Sequence, residues 1–186
     1  MPVARGECNL HRQSVDGSGG SVFAVGGSRS KQGRAGMTEG TVLFSGGCLC
    51  KAVRYRATSP PVVVRACWCR TCQYLGAGSA TVNALFPSAA LEVEGVLAEY
   101  STVADSGNAM LRRFCPRCGT QVLVNSAARP QFTGVRVGTF DDPSSVQPAA
   151  TIWTSSAPLW AAIDPNLPMI EQQPPPPPLA AGPTTR

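Results

Sequence analysis

From Thr41 onward, apolar side chains tend to fall at every second position. Val53, Tyr55 and Ala57 alternate with Arg54 and Arg56, Leu91 and Val93 with Glu92 and Glu94, and Val135 and Val137 with Arg136. A period of two belongs to a strand with one face on a core and the other in water. Further short strands are predicted over 62–66, 79–86, 99–103, 110–114, 121–124 and 132–140. Turn formers stand between them: Thr58-Ser-Pro-Pro61, Asp105-Ser-Gly-Asn108 and Asp141-Asp-Pro143. Only the stretch from Gln73 to Gly76 reads as a turn of helix. The chain is predicted to be mainly β.

The alternation is missing at both ends. Residues 1–36 are rich in glycine and serine, carry no apolar period and are predicted to be disordered. Their basic character also allows a transit peptide, and Met37 allows a later start of translation. Cys8 and His11 lie in this extension and read as bystanders. The folded domain is placed at 37–168. Residues 169–186 form a proline-rich tail, predicted disordered, whose run of five prolines favours an extended polyproline II spacer.

Composition narrows the class. With 186 residues, 43% of them hydrophobic, the chain can bury a modest core as one soluble domain. No apolar run approaches the ~20 residues that span a bilayer. The formal charge of +5 hints at nucleic acid until it is divided: five basic and two acidic groups in residues 1–36 account for +3 of it. Metal loading of the cysteines described next would bring the remainder to about −1. A basic nucleic-acid footprint is absent, and no nucleic-acid partner is expected.

Seven of the eight cysteines form three groups: Cys48 and Cys50, then Cys67, Cys69 and Cys72, then Cys115 and Cys118. Structural zinc takes four protein ligands, whereas zinc used in chemistry takes three and keeps a position open. Cys67, Cys69 and Cys72 fall within six residues, so one tight turn can aim all three sulfurs at one ion. The C-x-C of Cys48 and Cys50 and the C-x2-C of Cys115 and Cys118 each supply half of a closed tetrahedron. Gly119 can take φ > 0 and turn its amide towards the sulfurs. Spacing also permits other pairings, structural disulfides, or two purely structural zinc sites. With no secretory signal, disulfides are disfavoured and a cytoplasmic location is expected.

With these groups placed, the chain resembles the glutathione-dependent formaldehyde-activating enzyme family, which also includes centromere protein V. The resemblance spans about residues 43–167. It rests on Gly46-Gly-Cys-Leu-Cys50 followed by Ala52-Val-Arg-Tyr55, on Cys67-Trp-Cys-Arg-Thr-Cys-Gln73, and on Arg113-Phe-Cys-Pro-Arg-Cys-Gly119. Val137-Gly-Thr-Phe-Asp-Asp-Pro143 and Ser156-Ala-Pro-Leu-Trp160 complete it. It implies an Mss4-like fold of bent, packed antiparallel sheets with zinc-binding cysteine loops and two zinc ions per chain. By that mapping Cys48, Cys50, Cys115 and Cys118 hold a structural zinc, and Cys67, Cys69 and Cys72 hold the second. It further implies addition of glutathione, or another small thiol, to a small aldehyde such as formaldehyde, in the carbon–sulfur lyase class. Many members carry histidine where this chain has Trp68, whose indole does not titrate.

The only histidine lies in the extension, so a histidine-dependent hydrolase dyad is not available in the folded part. Activation falls to the metal, with Cys67, Cys69 and Cys72 as the catalytic set. Arg65, Arg70, Arg112, Arg113 and Arg117 crowd the cysteines and can fork onto the carboxylates of glutathione or simply offset the thiolate charge. Asp141 and Asp142 read first as a turn and second as an acid–base pair. The rival functions are a non-catalytic zinc-stabilised binding module or glutathione carrier and, behind these, a nucleic-acid-binding zinc ribbon. Nothing in the sequence sets an oligomeric state.

Overall fold

Alternation translates into strands wherever one face meets a core. In the computed structural model, which describes residues 41–175 and 177, eleven strands form two sheets. The first holds β1 (Phe44–Gly47), β2 (Arg54–Ala57) and β5 (Leu91–Glu94), all antiparallel, with β2 central. The second, in chain order, holds β3 (Val63–Cys67), β4 (Thr81–Pro87), β6 (Ala98–Val103), β7 (Ala109–Phe114), β8 (Gln121–Ser126), β9 (Phe132–Arg136), β10 (Ala150–Ile152) and β11 (Met169–Ile170). Its spatial order is β11-β10-β3-β4-β9-β8-β7-β6. The single α-helix among the described residues, α1 (Arg70–Leu75), begins three positions before the predicted turn of helix. Residues 1–36, with Cys8 and His11, and the start at Met37 lie outside the described residues.

The core lies between the two sheets. Val53, Tyr55 and Ala57 are at most 1% exposed, and they share one cluster with Ala84 and Phe86 of β4, Val135 of β9 and Val122 and Leu123 of β8. Phe140 is the aromatic hub, with ring centroids 5.9 Å from Phe44, 6.1 Å from Tyr55 and 6.2 Å from Phe86. Its neighbour Asp141 closes the same corner: Arg54 Nη1 donates to it at 2.8 Å, and Ser45 Oγ at 2.6 Å. Asp142 accepts from the Ser144 amide and starts a 3-10 turn. Both acids are therefore structural.

Three expectations need amending. The large sheet is mixed, because β10 runs parallel to both β3 and β11. Parallel neighbours need a long crossover, and residues 153–168 supply one between β10 and β11. Met169 and Ile170, assigned from sequence to the tail, belong to this sheet, and Thr151 N donates to Pro168 O beside them at 2.9 Å. A two-residue strand has no period to read. Finally, β9 ends at Arg136 and passes into a 3-10 turn at Val137–Thr139 instead of running on to Phe140, and every residue of it is buried. Among the described residues no helix is long and apolar enough to cross a membrane.

Candidate metal centre

Two turns from distant parts of the chain build the four-sulfur cluster. Lys51 N bonds back to Cys48 O, and Gly119 N to Cys115 O, both at 2.9 Å. Each turn is followed by a positive φ, 62° at Lys51 and 72° at Gly119. The Gly119 amide thus serves a carbonyl, not a sulfur as the sequence suggested; the sulfur contacts come from Val53 N to Cys48 Sγ (3.2 Å) and from the Thr120 hydroxyl to Cys118 Sγ (3.2 Å). That hydroxyl and the Thr120 amide draw the Cys118 thiol down to about 5.

The four sulfurs lie within 4.8 Å of one another, with Cys48–Cys50 at 3.6 Å and Cys50–Cys115 at 3.7 Å. Bonds of about 2.3 Å at tetrahedral angles put sulfurs about 3.8 Å apart around zinc. The donor set therefore fits a closed tetrahedral metal. A disulfide needs about 2.05 Å, and all seven of these cysteines are free.

The second group is built where β3 runs into α1. Cys67 ends β3, Cys69 caps the helix and Cys72 sits in its first turn. Three ties fix this short loop. Trp68 N donates to Ile152 O of β10 at 3.0 Å, the buried Gln73 Nε2 donates to Trp68 O and Ser156 O at 2.8 Å each, and Arg70 N donates to Asp105 Oδ2 at 3.1 Å. All three sulfurs are buried and mutually within 4.8 Å. No fourth Cys, His, Asp or Glu of the described residues joins them. Cys72 is drawn strongly towards thiolate by Cys67 and Cys69, then by the Thr81 hydroxyl and the charge of Arg136, against the cost of burial.

These sulfurs open onto a cavity of ≈ 200 Å³ on the face of the large sheet that turns away from the core. The register explains its walls. Val63, Leu85, Gly134, Val124 and Arg112 pair in one row across β3, β4, β9, β8 and β7, and Arg65, Asn83 and Arg136 pair in the next. Side chains on the opposite parity, such as Val64, Ala84 and Val135, enter the core.

Of the five arginines singled out by proximity to cysteines, Arg65 and Arg112 line this cavity. Arg70 bonds to Gln73 Oε1 and lies 4.5 Å over the Tyr74 ring, Arg113 bonds to Asn125, and Arg117 is exposed. Two lining arginines escaped the sequence reading, Arg129 and Arg136. The signal was present in Arg136, a charge between Val135 and Val137 and two positions past a strand glycine, but half-buried alternation points such a residue to water. Trp68 does not line the cavity; it is 4% exposed and meets Trp160 edge-on at 6.4 Å.

No curated protein matches the chain. Among solved structures, the crystal structure of a Rhodobacter sphaeroides protein is 24% identical, with 56% of this chain and 91% of that one covered and a TM-score of 0.44. The profile of the "Glutathione-dependent formaldehyde-activating enzyme" family matches residues 43–156, well over half of the chain. That span holds all seven cysteines of both clusters, and the chain belongs to the glutathione-dependent formaldehyde-activating enzyme family, whose fold is Mss4-like.

Proposed function

We propose that the protein is a zinc-dependent carbon–sulfur lyase-type enzyme that joins a small thiol, glutathione, to an aldehyde such as formaldehyde, giving S-hydroxymethylglutathione. The observation that carries this reading is the three-sulfur group, buried at the wall of a cavity and joined by no fourth donor among the described residues. Thiolate is a soft ligand suited to zinc. In this reading Cys48, Cys50, Cys115 and Cys118 hold a structural zinc, and Cys67, Cys69 and Cys72 hold a second one. Bound there, zinc would lower the pKa of an incoming thiol, which is the chemistry that the group would supply.

The chain's own groups do the rest. Gln73, Asp105 and β10 hold the three-sulfur loop in place. The apolar wall of Val63, Leu85, Phe132 and Ile152 limits water. Arg65 and Arg129 supply positive charge for an anionic thiol. In the reaction the thiolate sulfur bonds to the aldehyde carbon, the carbonyl π pair moves to oxygen, and that oxygen takes a proton. Reduced thiols and the zinc reading suit a cytoplasmic location.

A glutathione carrier is the second reading, favoured by the same three thiolates. Their charge weakens the metal as a Lewis acid, a lowered thiol pKa weakens the nucleophile, and glutathione and formaldehyde also combine unaided. Exchange NMR of adduct formation with and without protein separates the two. The enzyme reading predicts faster exchange that is lost in Cys69→Ser. A rate untouched by protein, together with a glutathione-induced thermal shift, leaves the carrier; no shift at all leaves a zinc-stabilised binding module.

A further inference from the structure

A charged side chain buried without a full set of partners is costly, and the cavity contains two. Arg112 and Arg136 are 6% and 8% exposed. Each guanidinium is anchored through Nη1, Arg112 on the Thr102 hydroxyl and Arg136 on Thr81 Oγ1 (2.9 Å) and Asn83 Oδ1 (2.5 Å). The Nε of each is buried and makes no hydrogen bond.

Among the described residues no carboxylate forms an ion pair with either. The ion pairs among the described residues are Arg54–Asp141 and Arg113–Glu99, and the acid on the cavity wall, Asp105, is engaged by the Arg70 amide. The two arginines act on one another: burial, and then the charge of Arg136, lowers the pKa of Arg112, while the charges of Cys72 and Cys69 on the same cavity wall oppose both. With about 4.8 Å between strands and about 3.4 Å per residue, the register puts their Cα atoms about 12 Å apart. Both side chains line the same cavity.

The anion that suits a fixed guanidinium fork is planar and bidentate, and a carboxylate is both. Size limits it further. A cavity of ≈ 200 Å³ is below the roughly 300–1,000 Å³ of most ligand pockets, so sulfur and carboxylate must belong to one compact ligand or to one end of a longer one. We propose that Arg112 and Arg136 form a carboxylate-binding subsite in the cavity, which selects thiols that carry a carboxylate, as glutathione and mercaptoacetate do, over thiols without one. The inference rests on the thiol reading above but uses different residues, so the two fail separately.

Calorimetric titration of the full-length, zinc-loaded protein tests it, with mercaptoacetate, 2-mercaptoethanol and acetate as probes. Mercaptoacetate is expected to bind at least tenfold more tightly than 2-mercaptoethanol. Arg112→Met should bring the two within twofold while leaving the Tm of the ligand-free protein unchanged or raised, because it removes a buried charge that no carboxylate pairs among the described residues. Arg136→Gln, which keeps polar contact with Thr81 and Asn83, should erase the same preference. An arginine with a purely structural role gives the reverse: a lowered Tm and an intact preference. Equal binding of the two thiols by the wild type, or a preference that survives both substitutions, overturns the subsite and leaves the thiol reading standing. Acetate binding that depends on Arg112, with neither thiol bound through sulfur, keeps the subsite and sinks the thiol reading.

Discussion

Cys115→Ser removes a sulfur that is fully buried and belongs at once to the core and to the four-sulfur cluster. That cluster ties the turn after β1 to the turn after β7, and its Cys50 and Cys115 are 65 positions apart. Treated as a cross-link closing such a loop, it restricts the unfolded chain by about 4 kcal/mol; the same relation gives only about 2 kcal/mol for three ligands within six residues. The binding energy of structural zinc in small peptides, ~10–16 kcal/mol, sets the upper end. A whole domain has ~5–15 kcal/mol of stability, so losing the four-sulfur site removes most or all of it. Cys115→Ser and Cys48→Ser are expected to be insoluble or unfolded by circular dichroism. Cys69→Ser is expected to fold, with its Tm lower by roughly 5–10 °C and with one zinc per chain by elemental analysis. Equal zinc loss and equal unfolding in all three variants refutes this division of labour.

Trp68→Phe should keep thiol affinity within twofold and the pH profile of binding unchanged, whereas Trp68→Ala should cost about 3–5 kcal/mol in chemical denaturation; a shifted pH profile in Trp68→Phe would contradict a packing role. Gly134→Val should cost about 1–3 kcal/mol and weaken ligand binding, because a Cβ there would stand 2.7 Å from Val124 Cγ1 on the cavity wall; unchanged stability and binding would show that the wall yields. Arg54, and then Ser45, hold the Asp141 carboxyl at about 2, below its usual 3.8. A depressed carboxyl adds stability above its usual range and loses it as pH falls towards 2. Its side chain is 48% exposed, so Asp141→Asn should cost at most about 1 kcal/mol at pH 7. Urea denaturation should find that difference narrowing between pH 4 and pH 2, and a constant difference contradicts the pairing.

What the sequence made legible was local. The 53–57 alternation is plain because β2 has one face on the core, and the three cysteine groups are plain because each lies within a few residues. The cavity was hidden for the opposite reason. Its wall takes alternate residues from five strands, and in each strand those residues look like the outward parity. Arg136 reads as a solvated charge until the register of β4, β9 and β8 places Asn83, Gly134 and Val124 around it. Proximity in sequence to cysteine was a poor guide to the arginines, since a helix, a strand and a turn send Arg70, Arg113 and Arg117 elsewhere. The parallel strands β10 and β11 were too short to carry any period.

The central claim is that one metal centre is left open by the polypeptide and completed by a foreign sulfur. X-ray absorption at the zinc edge counts the sulfurs directly. Seven cysteine sulfurs over two ions give a mean of 3.5 per zinc, and added glutathione should raise that mean to 4. A mean of 4 before any thiol is added, or a value of 3.5 that glutathione does not change, contradicts the account.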